Sequence, residues 1–265
     1  MTDRPFSGKT AFVTGGSSGI GRAIAMELGQ RGMQVVVADI DLPGAERVAT
    51  GIPGASAVRL DVGDEANWIA ALDLAEARHG PLCVLVSNAG VSGVELPIAE
   101  TSFEAWEWSR KVNLDGAFIG LSHGARRIIA SGSPGHIVAT SSMAVFNSMP
   151  HMGVYGAAKA GVLALCEALR AELAEYGIGV SVLLPGAVNT SLIEANMARA
   201  PAGVAIGGPQ TAAFERLKEG LDPVEVARMA ADAVGTDRFW LFTHPELEHR
   251  IDTRTAVMKS AFRVT

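Results

Sequence analysis

Cysteine is scarce: the 265 residues hold two, Cys83 and Cys166. Each sits in an apolar stretch with no second cysteine nearby, so the expected state is reduced and buried, as in a cytosolic protein. Neither a disulfide framework nor a thiol nucleophile is indicated. Runs of Lys or Arg are absent, and 22 basic against 28 acidic residues leave a net charge of −6. Without a basic track, nucleic acid is not an expected partner. Long apolar runs are missing too. None approaches the roughly 18 residues of a membrane span, and Met1 to Lys9 lack the apolar core of a signal peptide. The expected location is the cytoplasm, with no membrane partner. Charged residues make up only 19% against 48% hydrophobic. A large core or subunit contacts must take up that excess.

What is present is an alternation. Short apolar runs occur at Thr10–Thr14, Gln34–Ala38, Ser56–Leu60, Leu82–Ser87, His136–Thr140, Gly179–Leu184 and Phe239–Phe242. Continuous apolar runs of this length are the mark of buried parallel strands. Helical patterns lie between them at Gly19–Arg31, Glu65–Arg78, Ser102–Ala130, Val154–Glu175 and Pro223–Val234. The alternation predicts an α/β fold: a Rossmann-like, doubly wound sheet of about seven parallel strands with helices on both faces. No composition shift or repeat divides residues 1–265, so one domain is expected. One zone is irregular, Ser191–Gly220, with Pro201, Gly203, Gly207, Gly208 and Pro209. A loop this long in a compact domain is expected to serve as a lid over a site.

In open α/β sheets ligands bind beyond the carboxyl ends of the strands. The residues after each strand are therefore the informative ones. The first strand runs into Thr14-Gly15-Gly16-Ser17-Ser18-Gly19-Ile20-Gly21, the second into Asp39 and Ile40, the third into Asp61-Val62. The fourth is followed by Asn88-Ala89-Gly90, the fifth by Ser141 and Ser142, the sixth by Pro185-Gly186-Ala187-Val188-Asn189-Thr190. Small, polar and Gly/Pro residues gather at one edge. Gly15, Gly19 and Gly21 make a tight strand-to-helix turn whose free N–H groups can face a pyrophosphate. Ser17 and Ser18 can cap the helix or bond a phosphate. Without a ligand the same turn is simply glycine-rich.

Asp39 lies 18 residues after Gly21. A carboxylate there can accept from both hydroxyls of an adenosine ribose and would repel a 2′-phosphate. Ser18 and Ile40, where a basic residue could welcome that phosphate, are neutral. NAD is therefore expected over NADP. Tyr155 and Lys159 are four apart and share a helix face. A neighbouring ammonium stabilises a phenolate, so Tyr155 is expected to have a lowered pKa and to act as acid and base. Alone, that spacing is a common surface pair. Ser142, 13 residues before Tyr155, can hydrogen-bond a substrate oxygen beside it. Asn113 interrupts a long helical pattern where Asn is not favoured. It either disrupts the helix locally or is an exposed helical residue.

Taken together, the residues from Gly8 to about Thr190 resemble the short-chain dehydrogenase/reductase family. The resemblance implies a catalytic tetrad of Asn113, Ser142, Tyr155 and Lys159. Lys159 would also bind the nicotinamide ribose, and Asn113 would anchor a water. It further implies that Asp61 and Val62 sit by the adenine, that Asn88, Ala89 and Gly90 pack under the cofactor, and that Val188 and Thr190 contact the carboxamide. Ile20, Ile40, Pro185 and Gly186 complete the expected cofactor wall. Hydride transfer with NAD requires no metal. Homotetramers or homodimers packed through the two long helices are implied as well. Two departures stand out. Ser87 replaces an asparagine frequent in the fourth-strand motif, and the last strand ends Phe239-Trp240-Leu241-Phe242-Thr243-His244-Pro245 before a charged tail.

The expected substrate wall is Val94, Met143, Met149, Ala187 and Leu192, with Ser142 and Tyr155 at the reacting oxygen. Ser92 to Leu96, Ala144, Ile193, Asn196 and Met197 lie around it. No Arg or Lys cluster awaits an anion there. A secondary alcohol or ketone on an apolar body, cyclic or aromatic, fits such a wall. Two alternatives stay open: a reductase of 3-oxoacyl groups on an acyl-carrier protein, and a non-catalytic NAD-sensing protein.

Overall fold

Thr10–Thr14 is buried at all of its positions, and its side chains alternate between two cores. Phe12 faces one core while Ala11 and Val13 face the other. A strand buried on both faces needs neighbours on both edges, and this one, β1, has them. In the computed structural model, which describes residues 6–147, 149–204 and 217–262 and of Glu194 and Asn196 only the backbone, seven parallel strands form one sheet. They are β1, β2 (Gln34–Asp39), β3 (Ser56–Arg59), β4 (Leu82–Ser87), β5 (Gly135–Thr140), β6 (Ile178–Leu184) and β7 (Trp240–Phe242). Their order is β3-β2-β1-β4-β5-β6-β7. The doubly wound sheet is thus as expected, and the strand order reverses between β1 and β4.

On one face pack α1 (Gly19–Gln30), α2 (Leu42–Thr50) and a later helix, α8 (Pro223–Ala233). The other face carries α3 (Glu65–His79), α5 (Gly116–Ser131) and α6 (Gly153–Leu173). Local chemistry sets several starts. Asp64 caps α3 by accepting from the amides of Ala66 and Asn67, and Asp222 caps α8 just before Pro223. No helix among the described residues is long and apolar enough to cross a membrane. Cys83 and Cys166 are both free and buried, and burial pushes the Cys166 thiol up to about 12, which silences it as a nucleophile.

Three elements differ from the sequence reading. The stretch Ser102–Ala130 is not one regular helix: α4 (Phe103–Arg110) passes through a π-turn, Lys111–Asp115, into α5. Part of the irregular zone is helical, α7 (Leu192–Arg199). Residues 205–216, which belong to the expected lid, lie outside the described residues. The charged tail folds as α9 (Glu248–Ala261), although none of its residues is buried. A helix without an apolar stripe leaves no periodic signal to read. The long helices α5 and α6 share an open apolar depression lined by Leu114, Phe118 and Leu165.

Behind the sheet edge, His136 is fully buried. Its Nδ1 accepts from the amide of Gly235, at 3.3 Å, so the proton lies on Nε2 and is donated to Ser181 Oγ at 2.9 Å. The Ser181 hydroxyl in turn donates to the carbonyl of Arg238. Burial lowers the His136 pKa to about 4. The unfolded chain, with histidine near 6.5, then binds the extra proton first. Stability from this group is complete above about pH 6.5 and falls as pH drops toward 4, by on the order of 3 kcal/mol in total. Chemical denaturation of wild type and His136→Gln across that window is expected to show the loss in wild type and a flatter profile in the variant. Equal slopes would remove His136 as the cause.

Candidate active site

At the point where the strand order reverses, a cavity of about 630 Å³ runs along the carboxyl ends of the strands. That is within the roughly 300–1,000 Å³ typical of small-molecule sites. The turn after β1 shapes one end. Gly15 and Gly19 adopt φ of +66° and +52°, a region that favours glycine. A Cβ on Gly15 would meet the Ala89 backbone at 2.9 Å, and one on Gly21 would meet the Gly15 carbonyl at 2.2 Å. Ser18 forms no side-chain cap, and the first turn of α1 carries no acid. The helix N-terminus is therefore open toward an anion. Ser18, Gly19 and Ile20 line the cavity with Gly15, and this turn fits a pyrophosphate. Ser17 and Gly21, expected at the cofactor, do not line it. Gly21 packs against the turn, and the Ser17 amide donates to Asp39 Oδ2 at 3.0 Å.

Beside this turn one hydroxyl joins two strands. Thr14 Oγ1 accepts from the amides of Asn88 and Ala89, at 2.9 and 3.0 Å, and donates to the Val86 carbonyl at 3.3 Å. Asn88 completes the tie: its Nδ2 donates to Thr14 O, and its Oδ1 accepts from Thr140 Oγ1 on β5. Asn88, Ala89 and Gly90 thereby form part of the cavity wall.

Asp39 is only 5% exposed yet lines the cavity. Its Oδ1 accepts from the amide of Asp41 at 3.0 Å, and Arg199 Nη2 on α7 lies 3.4 Å from the same oxygen. Arg199 is the basic neighbour that sequence proximity could not reveal, 160 positions away. Ile40, Asp61 and Val62 also line this end. Asp61 Oδ1 is engaged by the Gly63 amide at 2.9 Å.

The other half of the cavity brings the expected quartet together. Lys159 is 4% exposed, and its Nζ donates to the Thr140 carbonyl at 2.9 Å, 5.8 Å from the Tyr155 ring centre. The Ser141 hydroxyl donates to the Lys159 carbonyl at 2.8 Å and so anchors α6 to the end of β5. The Ser142 hydroxyl hydrogen-bonds the Tyr155 phenol. Asn113 is not an exposed helical residue: it is 1% exposed at the centre of the π-turn. Its Oδ1 accepts from the Val91 amide and its Nδ2 donates to the Val91 carbonyl, both at 3.0 Å. Asn113 and Lys159 flank Gly90, where an added Cβ would meet Asn113 Oδ1 at 2.8 Å and Lys159 Nζ at 3.3 Å.

One electrostatic expectation is corrected. Tyr155 is raised above the usual phenol range, not lowered, because burial penalises the phenolate more than the Ser142 hydrogen bond favours it. Burial lowers Lys159 to about 8. The lysine thus resists the charge that was expected to depress the tyrosine.

Of the expected substrate wall, Met143, Met149, Ala187 and Leu192 line the cavity, as do Pro185, Gly186, Val188 and Thr190. Val94 does not. It is 1% exposed and packs with Ala105 and Val154 beneath the surface. Ser92, Glu95, Ala144 and Ile193 contribute to the lining, whereas Leu96 and Met197 do not. The side chain of Asn196 lies outside the described residues. His244 is fastened in place, its Nδ1 within 3.2 Å of the Gly186 amide. Trp108, Leu247 and Arg250 also line the cavity and were missed by the sequence reading.

Comparisons with known proteins show the family to which the chain is similar. The family model described as short chain dehydrogenase matches residues 9–200. The chain is 34% identical over 260 residues to a C alpha-dehydrogenase of Sphingobium sp. strain SYK-6, covering 94% of this chain and 85% of that one. It is 36% identical to an NADP-dependent (R)-specific alcohol dehydrogenase of Lentilactobacillus kefiri, covering 73% of this chain and 78% of that one. A cyclohexanol dehydrogenase of Acinetobacter sp. strain SE19 is 35% identical, with 71% and 76% covered. Among solved structures, a short chain dehydrogenase/reductase from Burkholderia phymatum in complex with NAD superposes with a TM-score of 0.88 at 31% identity, covering 97% of this chain and 96% of that one.

The Asn113–Val91 pairing generates a stability test. Replacing Asn113 with Ala leaves a buried amide and a buried carbonyl without partners, at about 1–3 kcal/mol each. Asn113→Ala is expected to lose roughly 2–4 kcal/mol in urea denaturation. A loss below about 0.5 kcal/mol, the usual range for a surface change, would contradict the structural role.

Proposed function

The chain belongs to the short chain dehydrogenase family, and on that premise we propose that it is an NAD-dependent enzyme interconverting a secondary alcohol and a ketone on a cyclic, largely apolar molecule. The observation that carries this reading is the convergence of Ser142, Tyr155 and Lys159 at the apolar end of a cavity whose other end is a glycine turn and a buried Asp39. Residues 1–265 act as one cofactor-binding unit, with α7 over its cofactor end. When bound, the nicotinamide supplies the hydride acceptor in alcohol oxidation and the donor in ketone reduction.

The chain's own residues do the rest. Tyr155 takes the hydroxyl proton of the alcohol, and returns it to the oxygen of the ketone in the reverse direction. Ser142 holds the same oxygen by a hydrogen bond. Lys159 orients a ribose and, in its ammonium form, favours the phenolate. Asn113 keeps the π-turn and the Val91 backbone in register beside Lys159. Met143, Met149 and Leu192 exclude water from the reacting carbon and adapt to a ring. The relative named for cyclohexanol supports a cyclic body. Pairing of subunits through the apolar faces of α5 and α6 is part of the same proposal.

NAD is favoured by Asp39, whose buried carboxylate suits two ribose hydroxyls and opposes a 2′-phosphate. Arg199 balances part of that charge and narrows the preference.

A spectrophotometric assay with cyclohexanol and related secondary alcohols tests the reaction. Tyr155→Phe is expected to lower kcat by about 10²–10⁴-fold, the usual worth of a general acid–base group. An unchanged rate would remove Tyr155 from the chemistry. Because Tyr155 is held above the usual phenol range, a more alkaline solution eases its acceptance of a proton. The kcat/KM for oxidation should therefore rise from about pH 7 to 10, while that for reduction should stay nearly flat over the same range. For the cofactor, the ratio of kcat/KM with NAD to that with NADP should exceed one. It should rise in Arg199→Ala and drop in Asp39→Ala. A wild-type enzyme that works better with NADP would defeat the assignment of Asp39.

A further inference from the structure

We propose that Arg250 determines specificity by binding a carboxylate on the substrate, away from the reacting C–O group. The inference rests on the reading of the cavity as a site for cyclic alcohols and names a substrate class within it.

Arg250 lies in the first turn of α9, beyond residues 9–200 that match the family model. The helix is placed by two attachments. Leu247, just before it, packs against the hydrophobic core on the face that carries α6. Arg254, one turn further on, donates through Nη1 to the carbonyl of Val145. Val145 closes the 3₁₀ turn Met143–Val145, which Ser142 caps. Arg250 and Arg254 are four residues apart and share a face of the helix. The bond from Arg254 thus aims the same face toward the residues that follow Ser142. Arg250 reaches the cavity wall there, with His244 and Leu247.

Arg250 is half-buried and, among the described residues, makes neither a hydrogen bond nor an ion pair. Glu95 lines the same cavity but is not within ion-pairing distance of it among the described residues. Asp39 and Asp61 belong to the other end. A charge facing a mostly apolar cavity is costly unless an anion meets it. A guanidinium presents a planar fork that matches a carboxylate in bidentate fashion. One cation suits a monoanion better than a phosphate dianion. An anion there would also fix which carbon of the ring faces Tyr155, because two anchored points orient a rigid body.

The test compares 4-hydroxycyclohexanecarboxylate with its uncharged methyl ester. Wild type is expected to favour the acid in kcat/KM by about ten- to a hundredfold, the worth of a charged hydrogen bond. Arg250→Met should erase that ratio, mainly through KM for the acid. Arg250→Lys, which keeps the charge and loses the fork, should retain part of it. Calorimetric binding of cyclohexanecarboxylate to wild type and Arg250→Met gives a readout independent of turnover, and the variant should bind it more weakly. Equal use of acid and ester by wild type, or a ratio unchanged in Arg250→Met, overturns the role of Arg250 while leaving the alcohol reading intact. Turnover of neither compound overturns both together.

Discussion

The Thr14 hydroxyl holds the end of β1 to the start of the loop after β4. Those two strands are parallel neighbours whose onward connections lead to opposite sides of the sheet, so their loops diverge and a crevice opens between them. Without a tie, the amides of Asn88 and Ala89 would be unpartnered inside that crevice. Thr14 serves both with one oxygen, and Asn88 extends the tie to β5 through Thr140. The glycine turn, the loop under the cofactor end and the strand leading to Ser142 are thus set against one another by a short chain of neutral hydrogen bonds. The position of each wall of the cavity follows from that chain.

Burial then sets the electrostatics. Tyr155 and Lys159 are moved toward neutrality from opposite sides, the phenol upward and the ammonium down to about 8. Desolvation disfavours both charges, which keeps the proton on the phenol. The same constraint shapes the cofactor end differently. Asp39 is nearly as buried as Lys159, but two backbone amides and Arg199 surround its carboxylate. Burial disfavours charge in one half of the cavity, and in the other hydrogen-bond donors surround a carboxylate.

The π-turn shows how a helix is made to serve the site. An extra residue at Lys111–Asp115 turns Asn113 inward without ending the helix. Asn is a poor helical residue because its amide competes for backbone groups. Here it does so with Val91 of another segment, and the competition becomes a bridge between the helix and the loop after β4.

Much of this was legible in the amino-acid order. Periodicity located the seven strands, and the motifs at their ends marked the edge where Gly15, Asn88, Ser142, Tyr155 and Lys159 meet. Those signals are local: a strand, a tight turn and an i, i+4 pair are each specified by neighbours in the chain. The rest depended on contacts between distant residues. Val94 reads as a wall residue but is covered by Ala105 and Val154. Arg199 reaches Asp39 across 160 positions, and Arg250 comes to the cavity on a helix with no apolar stripe to announce it. The sequence by itself determined the chemistry available at one edge of a parallel sheet. Tertiary structure alone decided the sign of the Tyr155 shift and which cations face the cavity, because desolvation and long-range charge depend on what folds around a residue.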